Sequence, residues 1–181
     1  NCGVLTNELA ASILFGSIKG SFTGAVKDKK GLMTAADGGT LFLDEIHNMS
    51  LDVQGKLLRA FAEGEVTPVG AIKPVKVDVR IIVAGNKRLK NLVEAGQFRE
   101  DLYYRLKVIS IDVPKLCDRK EDIPLLAYHF LREYSRRHNR KCNRFHDLLL
   151  DYIVADSWEG GNIRLLGNLV VDLVEQDPSF R

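Results

Sequence analysis

The sequence has no apolar stretch longer than a few residues, far below the ~20 that a helix needs to cross a bilayer. Residues 1–15 also lack the basic-then-apolar order of a signal peptide. Both absences lead to the expectation of a cytoplasmic protein with no membrane contact. Excess charge of one sign is missing too. Lys and Arg number 26 against 24 Asp and Glu, and the net charge of +2 supplies no global pull toward nucleic acid or an acidic membrane, so such binding would need a local patch. Cysteine is scarce and odd in number, with only Cys2, Cys117 and Cys142, which argues against a disulfide framework and for reduced thiols. Cys142 and His146 could sit one helical turn apart, but no second pair at metal-ligand spacing accompanies them, and no zinc site is expected. With 15 Gly, 5 Pro and no internal repeat, the chain is neither low-complexity nor collagen-like.

What remains is ordinary globular usage, 45% hydrophobic and 28% charged, over 181 residues, enough for one domain with a small appendage. The first forty residues read as two turn-rich pieces punctuated by glycine. Thr40, Leu41, Phe42 and Leu43 then form a short apolar run that stops at Asp44 and Glu45, as a buried strand ending in acids does. Ser50 is placed to cap a helix whose apolar positions Val53, Leu57, Leu58 and Phe61 recur at helical spacing, with Gly64 closing it. Residues 77–84 alternate as a second strand, with Asn86 just beyond it. A helical stretch with Leu89, Leu92 and Val93 and a polar segment over 97–105 lead to a third strand-like run at 108–113. Strands alternating with helices predict a parallel α/β sheet. From Pro114 onward the periodicity is helical only, near 123–134, 148–154 and 163–174, which predicts a small all-helical subdomain. The expected boundary divides the chain into 1–115 and 116–181.

Open α/β sheets bind ligands at the carboxyl ends of their strands, where Asp44 and Glu45 are expected. One carboxylate there can hold the water shell of a Mg²⁺ bridging phosphates while its neighbour deprotonates an attacking water. A strand capped by a solvated acidic turn has the same pattern. Asn86 could point an amide into the same crevice or simply form a turn. Arg99 and Arg105, six residues apart, are candidates for reading phosphate across a subunit interface, a task suited to the guanidinium fork, with ion pairing to Glu100 or Asp101 as the alternative. Gly20, Ser21, Phe22, Thr23, Gly24 and Ala25 read as a tight loop with an aromatic near its tip, either covered by a partner or folded into the core. The basic cluster of Arg132, Arg136, Arg137, Arg140, Lys141 and Arg144 is read as cations favouring a helix C-terminus rather than as a DNA surface. Arg164 stands in the first turn of the last helix, against the dipole preference, which hints at a bound phosphate.

Taken together in this order, the segments resemble the central AAA+ ATPase domain of the sigma-54-dependent bacterial enhancer-binding proteins. Residues 20–25 are similar to the family's GAFTGA loop with Ser21 for Ala, and 38–46 to its Walker B segment. Residues 98–106 resemble its arginine-finger segment and 161–164 its sensor II turn. The resemblance implies a P-loop-type parallel sheet flanked by helices, here truncated at the N-terminus, followed by a helical lid. It also implies ATP hydrolysis between subunits of a ring, commonly a hexamer, that remodels RNA polymerase holoenzyme carrying sigma-54. It assigns Asp44 to Mg²⁺, Glu45 to water activation and Asn86 to sensor I. Asn1 would hold Glu45 in check until a partner binds. Arg99 and Arg105 are the trans-acting finger candidates, unranked, Arg164 would sense the γ-phosphate, and residues 20–25, chiefly Phe22 and Thr23, would contact sigma-54.

The sequence also departs from the family's pattern. It contains no G-x-x-x-x-G-K-[ST], the phosphate-cradling loop that the family carries upstream of the segment matched here. Ile18 replaces the usual Glu before the loop, Asn48 an acid, Gly85 a Thr before Asn86, and Cys117 with Asp118 a basic pair. DNA contact is expected only through a separate domain. An ATPase activator represented by a fragment, itself inactive without the missing loop, is the first expectation. A truncated paralogue serving as a sigma-54 or ring-subunit interaction module is the second.

Overall fold

A computed structural model describes residues 1–4, 7–140, 144–158 and 161–176. Cys142 and Lys141, named above, lie outside them. The chain divides into two compact units, Asn1–Ser110 and Ile111–Arg181.

The first unit is α/β. Helix α1 (Asn7–Phe15) leads into a two-stranded antiparallel ribbon, β1 (Gly16–Ser17) with β2 (Lys29–Lys30), followed by the short α2 (Leu32–Ala35). Strand β3 (Thr40–Leu43) precedes α3 (Leu51–Glu63), and a second ribbon joins β4 (Glu65–Val66) to β5 (Val75–Lys76). Strand β6 (Arg80–Val83) then returns parallel to β3, with Thr40 opposite Arg80 and Leu43 opposite Val83. Helices α4 (Leu89–Glu94) and α5 (Glu100–Leu106) complete the unit.

The sequence reading did not find α1, whose inward positions Ala10, Ala11, Leu14 and Phe15 are nevertheless three and four residues apart and buried. Behind it the chain packs backbone on backbone. Gly16 has φ +89, and a Cβ on Gly31 would stand 2.3 Å from the carbonyl carbon of Phe15, so no larger residue fits at 31 without moving main chain. Helix α3 forms as its periodicity predicts. The Ser50 hydroxyl accepts from the Val53 N–H at 3.5 Å, Gly64 takes the left-handed conformation at the C-terminus, and Val53 and Leu57 are fully buried.

Two strand expectations are corrected. The run at 40–43 is half-buried rather than buried: Leu41 and Leu43 face the core, but Phe42 is 57% exposed, as is Ile82 beside it at 44%. Pleating sends alternate side chains to opposite faces, and among the described residues only one face of this pair is covered. The run at 108–113 is not a strand. Val108 and Ile109 are each 82% exposed, and no described strand offers them a ladder. Composition alone does not make a strand without a partner for its N–H and C=O groups.

The second unit is helical: short 3-10 turns at Leu116–Asp118 and Lys120–Asp122, then α6 (Ile123–Arg137), α7 (Asp147–Ala155) and α8 (Asn162–Gln176). Leu116, Ile123, Ala127, Leu131, Ile153, Leu166 and Val170 form its fully buried centre. The buried Trp158 keeps its indole N–H satisfied by donating to the Ile153 carbonyl at 2.8 Å. No helix among the described residues is long and apolar enough to cross a membrane.

Candidate functional site

The acids lie where β3 ends beside β6. Asp44 follows Leu43 directly, and its carboxylate accepts from the Asn1 side-chain amide at 3.1 Å and from the Glu45 backbone N–H at 3.0 Å. Its carbonyl accepts from Cys2 N–H at 2.9 Å. Asn1 is thus joined to Asp44, whereas the sequence reading had directed it at Glu45; its Oδ1 accepts from Gly3 N–H at 2.8 Å. Glu45 has φ 54 and ψ 43, a left-handed conformation that a non-glycine residue adopts only at a cost of about 1–2 kcal/mol. The turn is held by Ile46 N–H on the Ala84 carbonyl at 3.1 Å and Asn48 N–H on the Glu45 carbonyl at 3.0 Å. Asn86 is exposed, three residues beyond the end of β6, so both strands deliver polar side chains at their carboxyl ends.

The sequence reading missed His47. Its side chain is 5% exposed, and Nδ1 stands 3.3 Å from Glu45 Oε2. The only signal was a titratable residue two positions past the acids. It also missed Gln54, fully buried on α3. Its Nε2 donates to the carbonyls of Met49 at 2.8 Å and Gln97 at 3.2 Å, and its Oε1 accepts from Arg99 N–H at 2.8 Å. A polar residue in helical phase with Leu57, Leu58 and Phe61 was the available clue.

Arg99 and Arg105 are held differently. Arg99 precedes α5 and bonds Asp101 through both edges of its guanidinium, Nε to Oδ1 at 3.0 Å and Nη2 to Oδ2 at 2.7 Å. That hydrogen bonding holds the Asp101 carboxyl below its ordinary range and raises the guanidinium further. Arg105, exposed in the last turn of α5, donates to the Phe61 carbonyl at the end of α3 at 3.0 Å.

Residues 20–25 cap the β1–β2 ribbon. Gly20 N–H donates to the Ala25 carbonyl at 2.9 Å and Ala25 N–H to Phe22 at 3.0 Å, while Gly20 and Gly24 have φ +79 and +103. Phe22 is neither in the core nor fully out, and Thr23 is exposed. The Ser21 hydroxyl is buried without a hydrogen-bond partner among the described residues.

In the helical unit Asn162 has φ 54, and its Oδ1 accepts from Leu116 N–H at 3.0 Å. Arg164 follows in the first turn of α8, exposed, and lines a cavity of about 410 Å³ with Arg137, His138 and Tyr134. Of the basic cluster, Arg137 pairs with Glu133 at 2.7 Å and Arg144 with Asp147 at 3.5 Å. Cys2 and Cys117 are free thiols, and burial pushes the Cys2 thiol up. Among the described residues no three His, Cys, Asp or Glu gather as a metal cage.

The model of the sigma-54 interaction domain matches residues 1–112, and that of the AAA+ ATPase lid domain residues 117–178. The transcriptional regulatory protein GlrR of Escherichia coli K12 is 46% identical over 174 residues, covering 96% of this chain and 39% of GlrR. ZraR of the same strain is 49% identical over 170 residues, 94% of this chain and 38% of ZraR. This chain therefore spans about two fifths of these relatives. Crystal structures of NtrX from Brucella abortus superpose with a TM-score of 0.87 at 35% identity, over 98% of this chain and 40% of theirs; another, in complex with ATP, gives 0.85. Hsp104 of S. cerevisiae, at 22% identity and a TM-score of 0.63 over 95% of this chain and 33% of that one, shares the fold alone.

Proposed function

The chain belongs to the sigma-54 interaction domain family, with an AAA+ lid behind it, and on that premise we propose that the complete protein is an ATP-driven activator of sigma-54 transcription. In this reading ATP is hydrolysed between subunits of a ring, and the energy remodels RNA polymerase holoenzyme carrying sigma-54. The observation that carries it is the placement of Asp44 and Glu45 directly after one of two parallel strands and of Asn86 three residues after the other.

In this reading each role falls to one side chain. Asp44 accepts one hydrogen bond on each oxygen, so its carboxylate keeps lone pairs for the water shell of Mg²⁺. A magnesium site built from one or two protein carboxylates, completed by water and phosphate oxygens, needs no larger cage. Bound there, Mg²⁺ would neutralise developing phosphoryl charge. Glu45, partly exposed at 26%, accepts the proton of the attacking water, and the Asn86 amide orients that water. Arg99 or Arg105 reaches the phosphates of the neighbouring subunit, and Arg164 senses the γ-phosphate. Thr23 and Phe22, on the loop that joins β1 to β2, meet sigma-54. The backbone cradle for the triphosphate is not supplied by any motif in residues 1–181.

A Mg-ATP titration of residues 1–181 beside the full-length protein tests the reading. We expect binding and turnover by the full-length protein and at least a hundredfold weaker binding by the segment, on the order of the loss of a phosphate nest and its Lys. A full-length protein that binds no nucleotide overturns the ATPase and leaves the interaction module.

A further inference from the structure

Three residues after Asp44, and two after Glu45, a histidine is enclosed by the turn that carries the acids. The His47 side chain is 5% exposed, yet Nδ1 has no hydrogen-bond partner among the described residues. A buried polar nitrogen left unpaired costs about 1–3 kcal/mol, so an acceptor within reach matters. That acceptor is Glu45 Oε2, 3.3 Å away but off the line of the N–H. The approach is built by the backbone: Glu45 in the left-handed region sends the chain into the 3-10 turn Ile46–Asn48, which brings the ring back over the carboxylate. Room for the ring comes from the neighbouring strand's continuation. A Cβ on Gly85 would stand 3.2 Å from His47 Nδ1, tighter than an ordinary contact. The two residues therefore fit one another, immediately before Asn86. The Asn1 amide bonds the neighbouring Asp44.

We propose that His47 is a positioning residue for Glu45. With its proton on Nδ1 the ring anchors Oε2 after a small rotation of the carboxylate, and leaves Oε1 presented to the attacking water. The inference rests on Glu45 being the water-activating carboxylate. A group that fixes the base but never touches substrate changes turnover and leaves nucleotide affinity alone.

The test uses the full-length protein, with steady-state ATP turnover and nucleotide affinity measured on His47→Ala, His47→Asn and His47→Phe. Asn keeps a donor close to the position of Nδ1, and Phe keeps the ring volume without it. We expect His47→Ala and His47→Phe to lower kcat on the order of ten- to a hundredfold with ATP affinity within about twofold, and His47→Asn to recover most of the loss. Adding His47→Ala to Glu45→Gln should cost nothing further. Unchanged kcat in His47→Ala, or rescue by Phe as complete as by Asn, overturns the proposal, since volume alone would then be the ring's contribution. Should the variants unfold, their thermal midpoints will fall together, and equal recovery of both stability and kcat by Phe again counts against it. If Glu45→Gln turns over ATP normally, the reading of Glu45 fails first; if Glu45→Gln is inactive and His47→Ala is not impaired, only the present inference fails.

Discussion

Arg99 and Asp101 close a two-bonded clip across a single intervening residue, at 3.0 and 2.7 Å, beside the start of α5. Arg105, one turn and a half further along, meets no carboxylate among the described residues and rests on a helix-end carbonyl. The clip is solvent-facing, with the two side chains 42% and 46% exposed, so salt weakens it. Because the Asp101 carboxyl is held below its ordinary value, whatever order the clip gives is present above the unfolded carboxylate range. It is lost as pH falls through the lowered folded value.

Whichever of Arg99 and Arg105 acts in trans, its Ala variant should bind ATP and hydrolyse it poorly, with a loss of ~10³-fold or more. Mixing an inactive arginine variant with Glu45→Gln pairs an intact arginine of one subunit with an intact Glu45 of the next. Partial recovery of turnover in the mixture marks the finger, and an arginine whose removal leaves turnover unchanged is eliminated.

Glu45→Gln in the full-length protein should keep ATP binding and reduce hydrolysis by about 10²-fold or more, the usual weight of a positioned general base. Isothermal titration and phosphate release measure the two separately. Undiminished release refutes the role.

Thr23→Ala removes an exposed hydroxyl from the ribbon tip. Hydrolysis should persist while pull-down of sigma-54 by the ATP-bound protein is lost. A variant that still captures sigma-54 normally takes the loop out of the mechanism.

Gly31→Ala is a stability prediction. The added Cβ would sit 2.4 Å from Gly16 N and 2.6 Å from the Leu14 carbonyl oxygen, both main chain with no rotamer to yield. The expected cost is about 3 kcal/mol or more, read as a fall in the urea midpoint of the α/β unit. Ser50→Ala, which removes only a long capping bond of 3.5 Å, should cost about 0.5–1 kcal/mol. If the two variants unfold alike, the crowding at 31 is relieved by backbone movement.

Local rules made much of the fold readable. Ser50, the 53-57-61 stripe and Gly64 specify α3 without any tertiary information, and the lid helices have equally plain periodicity. The acidic turn was readable as a place, the end of an apolar run at two acids, and it stands directly after β3. Its wiring was not readable. The left-handed backbone at Glu45 leads into the turn that sets His47 beside its carboxylate, and no spacing rule forecasts a positive φ at a glutamate. Helix α1 escaped notice because three of its buried residues, Ala10, Ala11 and Ser12, are small. The run at 108–113 misled in the opposite sense. β-branched composition describes a willingness to pair, and pairing is settled by whether another strand lies alongside.

Gln54 gives the acidic turn and the arginine segment a common gauge. One uncharged amide bonds the Met49 carbonyl behind the turn, the Gln97 carbonyl and the Arg99 N–H. An amide does not titrate and, fully buried, is not screened. The spacing it sets therefore stays constant across the pH and ionic conditions that loosen the surface clip at Arg99. In the ring proposed above, a shift of the arginine segment would therefore be felt at the Met49 end of the acidic turn through one side chain.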